Sequence, residues 1–298
     1  MKRIDIKINF KCNNCCKFCV QGDKRHWCVD KTTNEIKDIL EDSRKGYDEV
    51  VFTGGEPTIR PDIIDLVAYA KNLDYRILIQ SNGRMFAYKD FCESLVNAGA
   101  RQFALSIHGH KAELHDFLTG VKGSFKQTVA GIENLSSYLS LFGNLIATNT
   151  VITNLNYRFL PDISKLLISL GIREYQFAFP HILGSAEFNQ KWLIPSKKKI
   201  APYVRKGLEI GIKNKRRVRV EAIPYCFLKG YEDCVSDKSI PDTKVFDIHL
   251  TNSFENWRKN VGKSKGKACR SCKFFECCEG PWREYPEIYG WSEFKPVK

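Results

Sequence analysis

The alternation of short β-rich runs with longer segments of helical period is the feature that most constrains how this chain can fold. Six runs have the length and residue content of strands, near Ile4 to Phe10, Glu49 to Phe52, Arg76 to Gln80, Gln102 to Ile107, Leu145 to Ile152 and Glu174 to Phe179. Six helices are predicted between and after them, near Thr32 to Lys45, Pro61 to Asn72, Tyr88 to Ala98, Phe125 to Tyr138, Leu160 to Leu170 and Lys197 to Lys213. Gly99 and Gly171 suit helix C-caps. This order predicts an α/β fold with a parallel sheet, a partial (β/α)6 TIM-like barrel.

The repeat stops near Glu221, and a small cysteine-rich C-terminal extension follows. It contains Cys226, Cys234 and a group from Cys269 to Cys278, among glycine, proline and many aromatic residues. We therefore divide the chain into a barrel core at 1–225 and an extension at 226–298. No low-complexity linker separates them, so we expect the two parts to pack closely.

Composition and cysteine content place the chain among globular proteins that use metals or thiols. It has 298 residues, of which 43% are hydrophobic and 27% charged. The start MKRIDIKINF lacks the apolar segment of a signal peptide, and no later run reaches the roughly 18 apolar residues of a spanning helix. We expect a cytoplasmic protein with no membrane contact. In that reducing compartment, twelve cysteines favour metal binding or thiol chemistry over disulfides.

The basic excess lies mostly in the core. From residue 226 onward, 13 Lys and Arg stand against 11 Asp and Glu, a net charge of +2, which leaves +11 of the total of +13 on residues 1–225. Basic groups cluster at Lys197 to Lys199, at Lys213 to Arg219 and from Arg258 to Arg270. The simpler interpretation is that they lie on solvated helix ends and loops, although such runs also steer anionic partners such as peptide carboxylates, phosphates or RNA. An iron-sulfur or zinc RNA-binding protein is one hypothesis, but no RNP-like motif supports it.

The stretch KCNNCCKFCV, residues 11 to 20, carries four cysteines directly after the first strand. Cys12, Cys16 and Cys19 have C-x3-C-x2-C spacing. Three thiolates on a four-iron cluster leave one iron open to a further ligand. On counting alone, Cys12, Cys15 and Cys19 are an alternative set. A zinc site built from Cys16 and Cys19 with the pair Cys269 and Cys272 is another.

Small and polar residues mark the ends of several predicted strands. The second strand ends in Gly54, Gly55, Glu56 and Pro57, where glycine lets the backbone approach a ligand closely. Sites of barrel enzymes are built at the C-terminal ends of the strands. Other polar groups at such ends are Gln80, Ser81, Asn82, Ser106 and Asn149.

The loop CNNCCKFC, with an aromatic residue before its last cysteine, and the GGEP motif together resemble the radical SAM superfamily. The resemblance implies a 4Fe-4S cluster on Cys12, Cys16 and Cys19, with Cys15 as a bystander. It also implies that the amino and carboxylate groups of S-adenosylmethionine (SAM) chelate the open iron, and that GGEP binds the methionine amino group. The implied SAM-binding residues are Phe18, Gly54, Gly55, Glu56, Pro57, Ser81, Asn82, Ser106 and Asn149.

The cysteines of the extension resemble the SPASM or twitch regions of that superfamily. Cys269, Cys272 and Cys278 have C-x2-C-x5-C spacing, completed by Cys226 or by Cys234, and Cys277 is an alternative to Cys278. Trp282 stands where a full SPASM pattern continues with cysteine, so we expect one auxiliary 4Fe-4S cluster. A structural zinc on the same four residues is the alternative.

Other candidate residues have ordinary interpretations. His108, His110 and His115 follow the fourth strand, and we favour substrate contact or packing over a metal site. Cys28 and Cys92 are interpreted as small hydrophobic residues. The aromatic residues of the extension are expected to pack over the cluster.

The resemblance implies an enzyme that reductively cleaves SAM to a 5'-deoxyadenosyl radical, which abstracts hydrogen from a substrate. An electron donor such as flavodoxin or ferredoxin is implied as partner. We expect a peptide or protein substrate that is crosslinked, oxidised or epimerised. Against this, the first cluster cysteine already lies at residue 12, so we expect no peptide-leader domain before the barrel. The alternative is a dehydrogenase or rearrangement enzyme acting on a small molecule or a nucleotide-derived substrate.

Overall fold

A computed structural model describes residues 2–140, 145–247 and 251–298 of the chain. Nine strands form one sheet: β1 Lys2–Asn9, β2 Glu49–Gly54, β3 Arg76–Ser81, β4 Gln102–Ser106, β5 Leu145–Val151, β6 Glu174–Ala178, β7 Arg217–Glu221, β8 Asp242–Phe246 and β9 Thr251–Ser253. Their spatial order is β7-β6-β5-β4-β3-β2-β1-β8-β9. The strands β1 to β8 are all parallel to their neighbours, and only β9 runs antiparallel.

The α/β fold with a partial TIM-like barrel is confirmed. All six predicted strands are present, and among the described strands none joins β7 to β9, so the sheet stays open. Two further parallel strands, β7 and β8, were not predicted. Both have only five residues, and charged side chains interrupt their apolar positions, so their sequence signal is weak. Because β8 pairs with β1, the proposed extension adds strands to the sheet of the proposed core.

The helices are α1 Lys24–Trp27, α2 Thr33–Ser43, α3 Ile63–Asn72, α4 Lys89–Ala98, α5 Ala112–Thr119, α6 Ser124–Leu139, α7 Leu160–Ser169, α8 Ser185–Phe188, α9 Gln190–Leu193, α10 Lys197–Lys213, α11 Phe254–Trp257 and α12 Tyr285–Tyr289. The six predicted helices are confirmed as α2, α3, α4, α6, α7 and α10. Gly99 and Gly171 have positive φ angles at the ends of α4 and α7, as predicted for C-caps. The structure adds α5 and several one-turn helices in the loops after the strands.

Residue alternation explains which side of the sheet faces the core. In β1, Ile4, Ile6 and Ile8 are fully buried, whereas the intervening Asp5 and Lys7 belong to the opposite face. Each of the six long helices contributes a fully buried leucine to the same core, namely Leu40, Leu66, Leu95, Leu135, Leu167 and Leu208. Because the strands are parallel, their C-terminal ends share one edge of the sheet, which we call the barrel mouth.

Candidate active site

The cysteine loop follows β1 and is fixed by the end of α5. The Cys15 N–H donates to the Thr119 carbonyl at 2.7 Å, and the Lys17 N–H donates to the Leu118 carbonyl at 2.9 Å. Gly120 has a φ of +72°, and a Cβ there would lie 2.5 Å from the Cys15 carbonyl oxygen. The loop is therefore held by backbone contacts that leave its side chains free for other partners.

The four thiols of this loop differ in environment. Cys15 is exposed, whereas Cys12, Cys16 and Cys19 are half-buried. Burial raises the pKa of Cys12 to about 11, and that of Cys16 further still, with the neighbouring Cys19 acting in the same direction. Thiols whose pKa burial raises, as at Cys12 and Cys16, need a positive centre to become thiolates, which iron supplies. In this respect the loop fits a cluster.

No group of three or more His, Cys, Asp or Glu side chains within residues 2–140, 145–247 and 251–298 converges on one point as a single metal ion requires. A 4Fe-4S cluster makes a different demand, because each thiolate binds its own iron. The loop supplies three cysteines for that purpose, Cys12, Cys16 and Cys19.

The two glycines at the end of β2, Gly54 and Gly55, lie directly against the start of the cysteine loop. The Gly55 N–H donates to the Asn9 carbonyl at 2.8 Å, and the Glu56 N–H donates to the Lys11 carbonyl at 2.9 Å. A Cβ at Gly54 would lie 2.1 Å from the Asn9 oxygen, and one at Gly55 would lie 2.2 Å from the Lys11 oxygen. Any side chain at either glycine would therefore separate the GGEP motif from the loop.

Glu56 is buried and joins the GGEP motif to the end of β3. Its carboxylate accepts hydrogen bonds from the Thr58 N–H at 3.1 Å, the Thr58 hydroxyl at 2.5 Å, the Ser81 hydroxyl at 2.7 Å and the Asn82 N–H at 2.7 Å. Burial raises the pKa of Glu56, and these hydrogen bonds oppose the rise. Pro57 begins the short helical turn that positions Thr58. The side chain thus sets the geometry of two other predicted site residues.

Asn82 and Arg84 connect the end of β3 to the cysteine loop. The Asn82 amide nitrogen donates to the Asn13 side chain at 2.6 Å and lies 4.0 Å from the Cys12 sulfur. The Arg84 guanidinium donates to the Asn14 side chain at 3.0 Å and to the Asn13 carbonyl. Arg84 was not predicted, because an arginine two residues after a polar strand end carries no spacing signal.

A row of polar residues crosses the next strands. In the sheet register Ser106 lies beside Asn149, and Asn149 lies beside Gln176. The Asn149 Oδ1 atom is buried without a hydrogen-bond partner among the described residues, so it is available to a ligand. Gln176 donates at 2.8 Å to Glu221, whose pKa burial raises. Gln176 and Glu221 were not predicted, although each is a polar residue near the end of a strand.

The histidines after β4 serve as packing residues. The buried Phe18 contacts the edge of His108 at 4.6 Å between ring centres, and His108 stacks on His115. Burial lowers the pKa of His108 well below its ordinary value and that of His115 to about 4, so both rings are neutral. His110 stacks on Phe159 instead.

Four cysteines of the extension line one small cavity, and they are the set chosen from spacing: Cys226, Cys269, Cys272 and Cys278. Burial raises the pKa of Cys226 to about 12, and the other three thiols add to that rise. The two cysteines considered as alternative ligands, Cys277 and Cys234, do not line this cavity. Cys277 donates its S–H to the Phe274 carbonyl, and Cys234 is buried elsewhere. Elsewhere, Cys92 is fully buried and Cys28 half-buried.

Buried ion pairs stabilise the extension internally, and an aromatic residue joins it to the barrel. Arg258 pairs with Glu279 beside Cys278, and Lys263 bridges Glu279 at 2.8 Å and Asp237 at 3.0 Å. The Trp282 indole N–H donates to the Phe179 carbonyl, directly after β6. The Trp282 hydrogen bond ties the extension, and with it the four-cysteine cavity, to the end of β6.

Lys197 corrects one expectation. It was assigned to a solvated basic run, but it is fully buried, with Nζ 3.0 Å from the centre of the Phe179 ring and 4.0 Å from that of Tyr285. Burial lowers its pKa well below the ordinary value. Only tertiary packing of the extension against α10 removes this residue from water.

A barrel whose mouth carries three loop cysteines beside a glycine pair defines the class of radical SAM enzymes. The family model described as Radical SAM superfamily matches residues 6–157, and the chain belongs to that superfamily. Members use a 4Fe-4S cluster and SAM, so the expected enzyme class and these two cofactors are confirmed. The roles of individual residues stay predictions. No helix in the described part of the chain is long and apolar enough to cross a membrane.

Two curated relatives differ in the reaction that their names state. The AdoMet-dependent heme synthase of Oleidesulfovibrio alaskensis is 32% identical over 167 residues, which cover 55% of this chain and 42% of the relative. A PqqA peptide cyclase of Bradyrhizobium diazoefficiens is 24% identical over 305 residues, covering 91% of this chain and 78% of the relative. The chain thus spans less than half of the heme synthase.

Solved structures with the same fold include two enzymes with bound SAM. Streptococcus suis SuiB bound to S-adenosylmethionine has a TM-score of 0.68 and 16% identity, covering 99% of this chain and 76% of SuiB. The enzyme anSMEcpe with bound AdoMet and Kp18Cys peptide has a TM-score of 0.68 and 14% identity, and the match covers 99% of this chain and 93% of anSMEcpe. At these identities the likeness shows the fold alone.

Proposed function

We propose that this radical SAM enzyme acts on a peptide or protein substrate held at the barrel mouth. The catalytic 4Fe-4S cluster is assigned to Cys12, Cys16 and Cys19, and an auxiliary cluster in the extension is assigned to Cys226, Cys269, Cys272 and Cys278. When bound, the catalytic cluster and SAM supply reductive cleavage of a carbon–sulfur bond and hence a 5'-deoxyadenosyl radical for hydrogen abstraction.

One observation carries the assignment of the site. The backbone of Gly55 and Glu56 is hydrogen-bonded to Asn9 and Lys11, so the GGEP motif and the cysteine loop form one unit. Residues of both elements would hold SAM together in this arrangement. The chain contributes position and shape, which for a reactive radical means holding the substrate close and excluding water.

The residues around this unit have distinct tasks in the proposal. Ser81 and Asn82 are set by Glu56, and Asn149 offers an unpartnered buried oxygen on the neighbouring side of the mouth. These groups are assigned to SAM. Phe18 and the neutral His108 form a packed wall behind the loop. Gln176 and Glu221, further along the same edge, are assigned to the substrate.

The substrate class rests on the relatives that align along most of the chain. The PqqA peptide cyclase covers 91% of it, and the solved neighbours include anSMEcpe with a bound peptide and SuiB bound to precursor peptide SuiA. A small-molecule substrate is the second candidate, because the heme synthase is more similar in sequence over 55% of the chain. The alignment with the PqqA peptide cyclase extends over more of the chain, 91%, and this favours the peptide.

The catalytic assignment is tested by a pair of adjacent cysteines. The protein is reconstituted anaerobically with iron and sulfide, reduced with dithionite and supplied with SAM, and 5'-deoxyadenosine is quantified. Cys16→Ala is expected to abolish 5'-deoxyadenosine, whereas Cys15→Ala, at the exposed bystander, retains it. Wild type is expected to hold about eight irons, four per cluster. Equal activity of both variants would remove Cys16 from the ligand set.

The substrate class is tested by deuterium transfer, which needs no knowledge of the particular substrate. Hydrogen abstraction from a deuterated substrate places deuterium in 5'-deoxyadenosine, which mass spectrometry detects. Perdeuterated cell extract is divided by size into a peptide fraction and a small-molecule fraction. Label from the peptide fraction, lost after protease treatment, supports the proposal. Label only from the small-molecule fraction would replace it with the second candidate.

A further inference from the structure

The extension contains an open cleft next to the cavity of its four cysteines. The cleft has a volume of about 670 Å³ and is lined by Lys265, Gly266, Lys267, Ala268, Trp291, Ser292, Phe294, Lys295 and Pro296. Three of these side chains are lysines, and none is acidic. We refer to it as the lysine cleft. Its size falls within the range that takes a small ligand or a short chain segment, about 300–1,000 Å³.

The charges of the lysine cleft are not neutralised by neighbouring carboxylates. Within the described residues, no ion pair includes Lys265, Lys267 or Lys295. Lys265 donates to the Phe275 carbonyl, and this contact fixes its position without cancelling its charge. The surrounding sequence adds to the positive charge of the cleft, since residues 256–275 contain seven Lys and Arg and no Asp or Glu. Arg258 and Lys263 of that group are buried in ion pairs, and the others remain near the surface.

The lysine cleft adjoins the cavity of the four extension cysteines and is linked to the barrel mouth through aromatic residues. Lys265, Phe294 and Lys295 also line the cavity of the four extension cysteines. Ring contacts lead from the cleft toward the mouth, from Trp291 to Phe294 at 5.1 Å, from Phe294 to Tyr285 at 5.9 Å and from Tyr285 to Phe179 at 5.3 Å. Phe179 directly follows β6. A chain segment held in the cleft is therefore anchored on a rigid aromatic connection to the barrel mouth.

We propose that the lysine cleft binds an acidic segment of the peptide substrate. The inference rests on the proposed function and adds to it the charge of the region that the enzyme recognises. Glu and Asp side chains would pair with Lys265, Lys267 and Lys295, while Trp291 and Pro296 supply apolar contact to the segment. Anchoring of this kind raises the local concentration of the residue to be modified at the mouth.

A chain segment fits this cleft better than the face of a folded protein does. Folded partners meet over surfaces of about 800 Å² each, whereas this site is a concave cleft with few lining residues. A nucleic acid would also meet the charge requirement, and so would a phosphorylated small molecule. The experiment below separates these ligands.

The test measures binding directly, on the reconstituted full chain without SAM. Fluorescence anisotropy is recorded with a fluorescein-labelled peptide rich in Glu, and with the same peptide carrying Gln at every Glu position. The Glu peptide is expected to bind with an affinity that falls as salt is added, and the Gln peptide is expected to bind at least about tenfold more weakly. Equal binding of both peptides would overturn the proposal.

Charge reversal localises the site. The double variant Lys267→Glu with Lys295→Glu is expected to weaken binding of the Glu peptide about tenfold, because both changes introduce repulsion. The matched control is Lys45→Glu with Lys126→Glu, two exposed lysines on the barrel part of the chain, and it is expected to bind as wild type does. Equal loss in both variants would mean general charge attraction and would refute a specific cleft. If the reversed variant fails to fold, Lys267→Gln with Lys295→Gln replaces it, with a loss of about threefold.

Competition distinguishes the other ligands, and SAM cleavage separates this proposal from the proposed function. Displacement of the peptide by ATP or by a short RNA more effectively than by unlabelled Glu peptide would assign the cleft to that ligand instead. Lys267→Glu alone, which changes a lysine of the cleft that does not line the cysteine cavity, is expected to keep wild-type 5'-deoxyadenosine formation with dithionite. If wild type cleaves SAM but does not bind the Glu peptide, only the proposed role of the lysine cleft is refuted. If wild type does not cleave SAM, the proposed function is refuted.

Discussion

The Ser81 hydroxyl donates a hydrogen bond of 2.7 Å to the Glu56 carboxylate, across 25 residues of sequence. The bond joins the ends of two adjacent strands, and the same carboxylate also accepts the Asn82 N–H at 2.7 Å. Asn82 in turn contacts the cysteine loop through Asn13. One buried side chain thus orients three elements of the candidate site.

Glu56→Gln is expected to weaken SAM binding and to lower the free energy of unfolding by about 2 kcal/mol. An amide has only one acceptor oxygen, and its NH2 group would face donors that need an acceptor, so buried hydrogen bonds are lost. Equilibrium dialysis of SAM and thermal unfolding measure the two effects. Glu35→Gln, at an exposed position in the first turn of α2, is the control and should leave SAM binding unchanged. Wild-type SAM affinity in Glu56→Gln would contradict the role given to this carboxylate.

The second prediction concerns the pH dependence of stability at Asp5. Burial raises the pKa of its carboxyl group from 3.8 to about 6. A raised pKa means that the folded state binds the proton on Asp5 more tightly than the unfolded state does. This tighter binding stabilises the fold at low pH, and the stabilisation is lost as pH rises from about 4 to about 6. Asp5→Asn removes the buried charge and is expected to stabilise the protein at pH 7 by about 1–3 kcal/mol.

Denaturant titrations of the wild type and Asp5→Asn at pH 7 and pH 4 measure this difference. At pH 4 the advantage of the variant is expected to shrink toward zero, because the Asp5 carboxyl is then largely protonated in the folded state. Asp65→Asn, at an exposed position, is the control and should show no such change. A constant difference across the pH range would rule out titration of Asp5 as the cause.

Cys226→Ser is expected to remove the auxiliary cluster and with it about four irons per chain. The reason is its place in the cavity with Cys269, Cys272 and Cys278. Cys234→Ser is the matched control, since Cys234 is close in sequence but lies outside that cavity and should leave the iron content unchanged. Iron analysis and electron paramagnetic resonance check both variants. A wild-type iron count in Cys226→Ser together with one bound zinc would assign the extension to zinc.

The fourth prediction concerns the buried ion pair beside Cys278. Glu279→Gln leaves Arg258 and Lys263 with less negative charge in a buried environment and is expected to destabilise the protein by about 3–5 kcal/mol. Glu255→Gln breaks the exposed pair with Lys259 and should cost no more than about 0.5 kcal/mol. Thermal unfolding compares the two variants. Similar small effects would show that the buried pair does not stabilise the extension.

Local patterns were sufficient to predict most of the barrel. Regular alternation in β1 and the helical periods of α2 and α10 depend on neighbouring residues alone, so they can be read from the sequence. The strand β7, with charged residues at alternate positions, was missed because its hydrophobic signal is short. Its place in the sheet depends on pairing with β6.

Some residues of the candidate site could be predicted from local sequence, and others depend on the tertiary structure. The spacing of Cys12, Cys16 and Cys19 and the GGEP motif identified the superfamily, because a cluster needs closely spaced thiolates whatever surrounds them. Nothing local distinguishes Arg84 or Glu221 from other charged residues near strand ends. Their contacts with Asn14 and Gln176 arise only when strands distant in sequence become neighbours.

The sequence by itself determined the order of the elements, the cysteine loop and the family, since each of these is encoded over a few tens of residues or fewer. Tertiary structure alone decided that Cys226 joins the distant Cys269, Cys272 and Cys278 in one cavity. It also decided that Lys197 is buried while its neighbours Lys198 and Lys199 remain exposed. Burial and proximity are properties of packed surfaces from separate parts of the chain, and residue order specifies them only through the complete fold.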